Sequence, residues 1–213
     1  MTHSLHRYRI GDEKSDDYVF LVMAAQGKNS EGAAPKLAAM YKILASAGAD
    51  NYGEDNQGGV FTGVTDEEIL ANIKTTAYPG GAFSDIEKVK ETLRRMKDAD
   101  TGMCVVLTGD FEEVFTALAE VGLKPHTVNM SLGIFGNVNC LPEEEILEIS
   151  TMCGHSMVCP DHVRHVMNLV EKGSMTARDA ALDLARPCTC AIFNPRRAEY
   201  LINKHCHKNQ EVC

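Results

Sequence analysis

The chain has 213 residues, 44% apolar and 24% charged, with a net charge of −9, so it is long enough to bury a core without disulfide or metal staples. The acidic balance argues against binding a phosphate backbone, and the absence of Trp with only 6% aromatic residues leaves little for a base-stacking platform. No apolar run approaches the roughly 20 residues of a membrane span.

The first stretch, M-T-H-S-L-H-R-Y-R-I, lacks the apolar core of a signal peptide. The expectation is a cytoplasmic protein with no membrane and no nucleic-acid partner. In a reducing compartment, the eight cysteines point to metal or redox chemistry rather than to disulfides. Charge is unevenly spread. Residues 1–150 carry 13 Lys+Arg against 24 Asp+Glu, a balance of −11; residues 151–213 carry 8 against 6, a balance of +2. The mildly basic part is also the cysteine-rich part.

Residues 1–17 read as a polar, flexible N-terminus. Tyr18 to Ala25 is a continuous apolar run of strand length. Pro35 suits a first helical turn, and Leu37, Met40, Tyr41 and Leu44 give that helix one apolar face. A polar loop, A-D-N-Y-G-E-D-N-Q, then leads to G-G-V-F-T-G-V, read as a second strand. Thr65 and Glu68 form a capping box. A-Y-P-G-G-A-F reads as a turn-rich loop, and Ser84 with Glu87 as a second capping box. Met103 to Thr108 reads as a strand, with Cys104 in its core. Asp110 caps the next helix. His126 to Gly136, with Val128, Met130, Leu132 and Ile134 alternating, reads as the last strand.

From residue 141 the pattern is helical only. Pro142 and the three glutamates after it open one helix, and Gly154 ends it near Cys153. Pro160 opens the next, Thr176 with Asp179 caps another, and Asn194-Pro195 caps the last. The expected organisation is a flexible N-terminus (1–17), an α/β sandwich domain (18–140), a helical cysteine-rich metal- or cluster-binding segment (141–204) and a flexible tail (205–213). The fold class is α/β (α+β). Two strand–helix–strand units favour a ferredoxin-like sheet with helices on one face, with a parallel doubly wound sheet as the alternative.

The chemistry concentrates in T-M-C-G-H-S-M-V-C-P and A-R-P-C-T-C-A-I-F-N-P-R-R. Cys153, Cys159, Cys188 and Cys190 all fall at breaks between helices, where soft ligands can be aimed from turns held by rigid elements. Their C-x5-C…C-x-C spacing matches neither a zinc ribbon nor a bacterial ferredoxin run. All-thiolate ligation suits a 4Fe–4S iron–sulfur cluster, with zinc as the alternative. If three cysteines hold a cluster with one open iron, Cys153, Cys188 and Cys190 are the triad, because Cys159 is accounted for as a helix-capping residue. His155 is then the candidate proton donor. Arg186 and Asn194 are candidate contacts to an anionic ligand or to the cluster. His162 and His165 share a helix face and could complete a zinc site with Cys159; a polar helix face is the plainer reading. The glycine loops fit no nucleotide-binding pattern and read as tight turns.

The function expected is an iron–sulfur redox or lyase-type enzyme of anaerobic metabolism. It would act on a small anionic molecule, with a redox partner protein or a homodimer as its association. The alternative is a zinc-stabilised or metal-free ligand-binding module without catalysis.

Overall fold

The apolar run after Asp17 forms β1 (Tyr18–Met23), five of whose six residues are buried. A strand turns successive side chains to opposite faces, and β1 divides cleanly. Tyr18, Phe20 and Val22 enter one hydrophobic core, while Val19 and Leu21 enter another. The sheet is therefore covered on both faces.

The computed structural model describes residues 7–11 and 16–208. Among them the chain is a mixed α+β protein with one five-stranded antiparallel sheet and eight α-helices. The other strands are β2 (Asn51–Glu54), β3 (Gly58–Gly59), β4 (Pro79–Phe83) and β5 (Cys104–Thr108), in the order β3-β2-β4-β1-β5. Every pairing is antiparallel, which overturns the doubly wound parallel alternative.

Helices α1 (Ala34–Ser46), α3 (Ile86–Ala99) and α4 (Phe111–Glu120) contribute Leu37, Leu93 and Val114 to the core on the Phe20 side. The short helix α2 (Asp66–Asn72) starts at Thr65 with both arms of its capping box made. α3 is capped by Asp85 rather than by Ser84. Asp110 accepts from the backbone N–H groups of Glu112 and Glu113 and caps α4 as expected.

The C-terminal helices are α5 (Glu144–Ser150), α6 (Pro160–Glu171), α7 (Ala177–Ala185) and α8 (Pro195–Lys208). Their buried residues, among them Ile149, Val163, Leu184 and Leu201, share a single core with Val19 and Leu21 of β1. Helices α1, α3 and α4 of the α/β part thus share one face of the sheet, and the cysteine-rich segment packs against the second. α8 also continues to Lys208, with His205 and Cys206 buried. The expected tail is thus helical over residues 205–208, and residues 209–213 lie outside the described residues.

Four strand assignments change. Asn51–Glu54, expected in a polar loop, is a strand, and Pro79–Phe83, expected in a turn, is another. Only Gly58–Gly59 of G-G-V-F-T-G-V is a strand. Burial explains the first two: Asn51 donates from Nδ2 to the Phe193 carbonyl at 2.9 Å, and Gly80 and Gly81 pair with Leu21 and Phe20 of β1. His126–Gly136 has the alternation of a strand but is not one: among the described residues the sheet order ends at β5. Finally, the described part of the N-terminus is tied down. Arg7 pairs with Asp17 and donates to the Ile192 carbonyl, and Tyr8 N–H donates to Thr151 Oγ1 at 2.8 Å.

Candidate metal centre

Two irregular turns build the site. The first follows α5 and runs from Cys153 to Cys159, before Pro160 opens α6. The second runs from Pro187, after α7, to Asn194, before Pro195 opens α8. Each contains a non-glycine residue in the left-handed region, Ser156 at φ 56° and Ala191 at φ 55°. That conformation costs an L-residue roughly 1–2 kcal/mol and persists only where the surroundings hold it.

The sheet holds the second turn. A Cβ built on Gly53 would stand 2.8 Å from Ala191 Cβ, and one on Gly59 would stand 2.6 Å from it. A Cβ on Gly80 would meet the Cys190 carbonyl oxygen at 3.2 Å. The glycines of β2, β3 and β4 thus let the C-x-C turn lie directly on the sheet. The reading of G-G-V-F and Y-P-G-G as tight turns missed this use of glycine for close backbone approach.

Cys153, Cys188 and Cys190 are buried, with free thiols. Cys188 Sγ lies 3.7 Å from Cys190 Sγ and is linked to Cys153 as well, so it is the thiol that interacts with both of the others. On the open side, His155 Nδ1 lies 3.5 Å from Cys190 Sγ. One ligand atom each from Asp55, His155 and Cys190 all lie within 4.8 Å of one another. Asp55 comes from the β2–β3 hairpin and was not anticipated. Its only signal in the sequence was an acidic residue in a glycine-bounded loop, G-E-D-N-Q-G-G.

Backbone N–H groups of the two turns act to lower each thiol: those of His155 and Met157 for Cys153, that of Phe193 for Cys188 and that of Ile192 for Cys190. Successive N–H groups converging from a turn favour anionic sulfur. The thiols divide the protons unequally. The hydrogen bond from Cys188 holds the Cys190 thiol below its ordinary value, against the effect of burial. For Cys188, the bond with Cys153 lowers its value, but the bond to Cys190 and burial prevail and push it up to about 12. The Cys153 thiol is pushed far up, by its bond to Cys188 and then by burial. Cys190 is therefore the first of the three to become a thiolate.

The remaining candidate residues lie as follows. Cys159 is exposed at the start of α6 and makes no side-chain capping bond. Arg186 ends α7 with its side chain 69% exposed, 3.4 Å from Asp183. Asn194 is fully buried and has all its polar atoms engaged: Oδ1 accepts from Arg197 N–H and Ser84 Oγ, and Nδ2 donates to Asp17 and to the Phe83 carbonyl. It caps α8 and ties the helix to the sheet. His162 Nε2 lies 2.8 Å from Asp183, and His165 is exposed. Cys104, expected in the core, is only half-buried on the edge strand β5, and Cys140 is exposed.

Fold and site together define a mixed α+β protein with a buried three-thiol cluster, bordered by a histidine and a carboxylate. No protein family, curated protein or solved structure matches the chain. Among the described residues, no helix is long and apolar enough to cross a membrane.

Proposed function

We propose that this protein holds a metal centre on Cys153, Cys188 and Cys190, and that His155 and Asp55 stand at its open side, where a small molecule is bound and transformed. The observation that carries the reading is the convergence of three buried thiols from two turns, with a histidine and a carboxylate beside Cys190. Burying three thiols side by side without a metal leaves weak hydrogen-bonding groups in a costly environment, whereas a metal would take the protons' place.

Three cysteines with a fourth position open suit an iron–sulfur cluster of the 4Fe–4S type, with substrate at the unligated iron. His155 then acts as proton donor or acceptor beside that position. The reaction is of the redox or lyase class, and the setting anaerobic metabolism. The strand order β2-β4-β1-β5, with α1 and α3 linking its two halves, supports a ferredoxin-like reading of the sheet.

A specific observation favours a second occupant. Two thiolates on one tetrahedral ion with metal–sulfur bonds of ~2.3 Å stand about 3.8 Å apart, and Cys188 and Cys190 are separated by 3.7 Å. A cluster carries its cysteines on separate irons and needs them farther apart. The Cys188–Cys190 spacing suits a single zinc, with His155, Asp55 or Cys153 drawn in as the further ligands.

Purification without oxygen, followed by iron, sulfide and zinc analysis, tests both. Iron and sulfide in equal amounts, with broad visible absorption lost in Cys153→Ala, Cys188→Ala and Cys190→Ala, support the cluster. Colourless protein with one zinc per chain supports the single ion. Full metal content in the Cys188 and Cys190 variants would overturn the proposal.

A further inference from the structure

Among the described residues, β5 ends the sheet: it pairs with β1 on one side only, and all five of its residues are half-buried. Beside it lies a groove of about 760 Å³, walled by β5, by α4 and by residues 123–131. α4 presents Phe111 and Phe115 to solvent, stacked with centroids 5.6 Å apart and planes 7° from parallel.

The segment after α4 has the composition of a strand without a partner. Residues 126–141 contain no Asp, Glu, Lys or Arg, in a chain that is 24% charged. Val128, Met130, Leu132 and Ile134 alternate through it, and they are 52%, 68%, 86% and 51% exposed. Sheet edges are ordinarily protected by charge, proline or a bulge. β5, with the sequence C-V-V-L-T, has none of these residues, and the segment beside it is equally unprotected.

We infer that residues 126–136 form an arm that adds to the β5 edge of a second copy of this chain. The same chain supplies both a sheet edge at Cys104–Leu107 with no second strand among the described residues and an uncharged, strand-patterned arm. A two-fold arrangement satisfies both edges and both arms at once, as closed isologous assembly requires, by the same main-chain pairing that strand addition uses elsewhere. Within one chain the arm reaches only the groove wall, and its alternating side chains stay in solvent. Two copies would cover them together with the Phe111–Phe115 pair.

The test is the solution mass of the full chain, by sedimentation and light scattering at micromolar concentration, combined with amide exchange. The expected result is a dimer, twice 23.3 kDa, with slow exchange in β5 and in residues 128–134. The double variant Leu132→Glu, Ile134→Glu changes exposed positions, so its circular dichroism should match the parent. It should sediment as a monomer with fast exchange in both segments. Val60→Glu, at the opposite end of the sheet, should remain a dimer. A monomeric parent, with or without protected arm amides, would overturn the inference, and so would a dimer that the two glutamates leave intact.

Discussion

Gly59 lies against Ala191 so closely that a Cβ on the glycine would stand 2.6 Å from that of the alanine. The contact joins the β2–β3 hairpin, which carries Asp55, to the turn that carries Cys188 and Cys190. It fixes the height of the cysteine turn above the sheet, and with it the distance between the carboxylate and the thiols. The nearest obstacle to any larger residue at Gly59 is the Tyr52 carbonyl oxygen, 2.4 Å from the added carbon.

Gly59→Ala should therefore displace both the hairpin and the cysteine turn. Overpacking of this kind costs about 1–3 kcal/mol. Thermal unfolding should show the loss of stability, and metal content after reconstitution should fall in parallel. Gly63→Ala is the comparison for the second readout: a Cβ there meets nothing within 4 Å, although its φ of 86° still strains the backbone. Its metal content should match the parent.

The cysteines should separate into two groups. Cys153→Ala, Cys188→Ala and Cys190→Ala should each lose most of the bound metal. Cys159→Ser and Cys104→Ala should keep it. Removing the half-buried Cys104 side chain should cost no more than about 1 kcal/mol. Metal analysis of the five purified variants, with denaturant unfolding for Cys104→Ala, checks both statements. Loss of metal in Cys159→Ser would bring a fourth thiolate into the centre.

In the metal-free protein the thiols should respond to pH in opposite directions. Cys190 is lowered in the folded state, so its contribution to stability is present above the unfolded thiol value of 9.0 and is lost as pH falls through its folded value. Cys188 is raised to about 12, so its contribution is complete below 9.0 and disappears as pH rises from there toward 12. Alkylation followed by mass spectrometry should therefore label Cys190 ahead of Cys153 and Cys188 as pH rises. Unfolding between pH 9 and 11 should show stability falling in the parent and falling less in Cys188→Ala.

Asn194 should prove to be a structural residue. Asn194→Ala removes the N-cap of α8 and leaves the Asp17 carboxylate and the Phe83 carbonyl short of a donor. The cap alone is worth ~1 kcal/mol, and the buried groups left unpaired cost about 1–3 kcal/mol more. Asn194→Asp keeps the cap but loses the Nδ2 donor, so it should recover only part of the stability. Denaturant midpoints of the two variants would show this order.

Glu148 bridges the first and last turns of that helix. It lies 3.1 Å from Arg197 Nη2 and 3.2 Å from His205 Nε2, all three buried. Burial raises the acid's pKa, but the His205 bond and the Arg197 charge outweigh it and hold Glu148 below the ordinary carboxylate value. A lowered folded value stabilises the fold above the unfolded carboxylate value and loses that contribution as pH falls through the folded one. Glu148→Gln should cost on the order of 3 kcal/mol at neutral pH, because it leaves a buried cation uncompensated. It should also flatten the acid limb of a stability–pH curve.

The amino-acid sequence by itself determined the elements whose signals are local. Pro35, Thr65, Asp110, Pro160, Thr176 and Asn194 open helices where capping and proline chemistry place them, because those bonds form within three or four residues along the chain. It also marked Cys153, Cys188, Cys190 and His155, since cysteines beside glycine and proline at helix breaks are visible without a fold. Tertiary structure decided the rest. The glycine strands Asn51–Glu54 and Pro79–Phe83 have weak propensity of their own and form because β1 and the cysteine turn pack against them. Asp55 joins the site across about a hundred residues of sequence, and no local pattern announces it. Residues 126–136 mark the converse case: their alternation is that of a strand, but a strand exists only when an edge accepts it, and among the described residues none does.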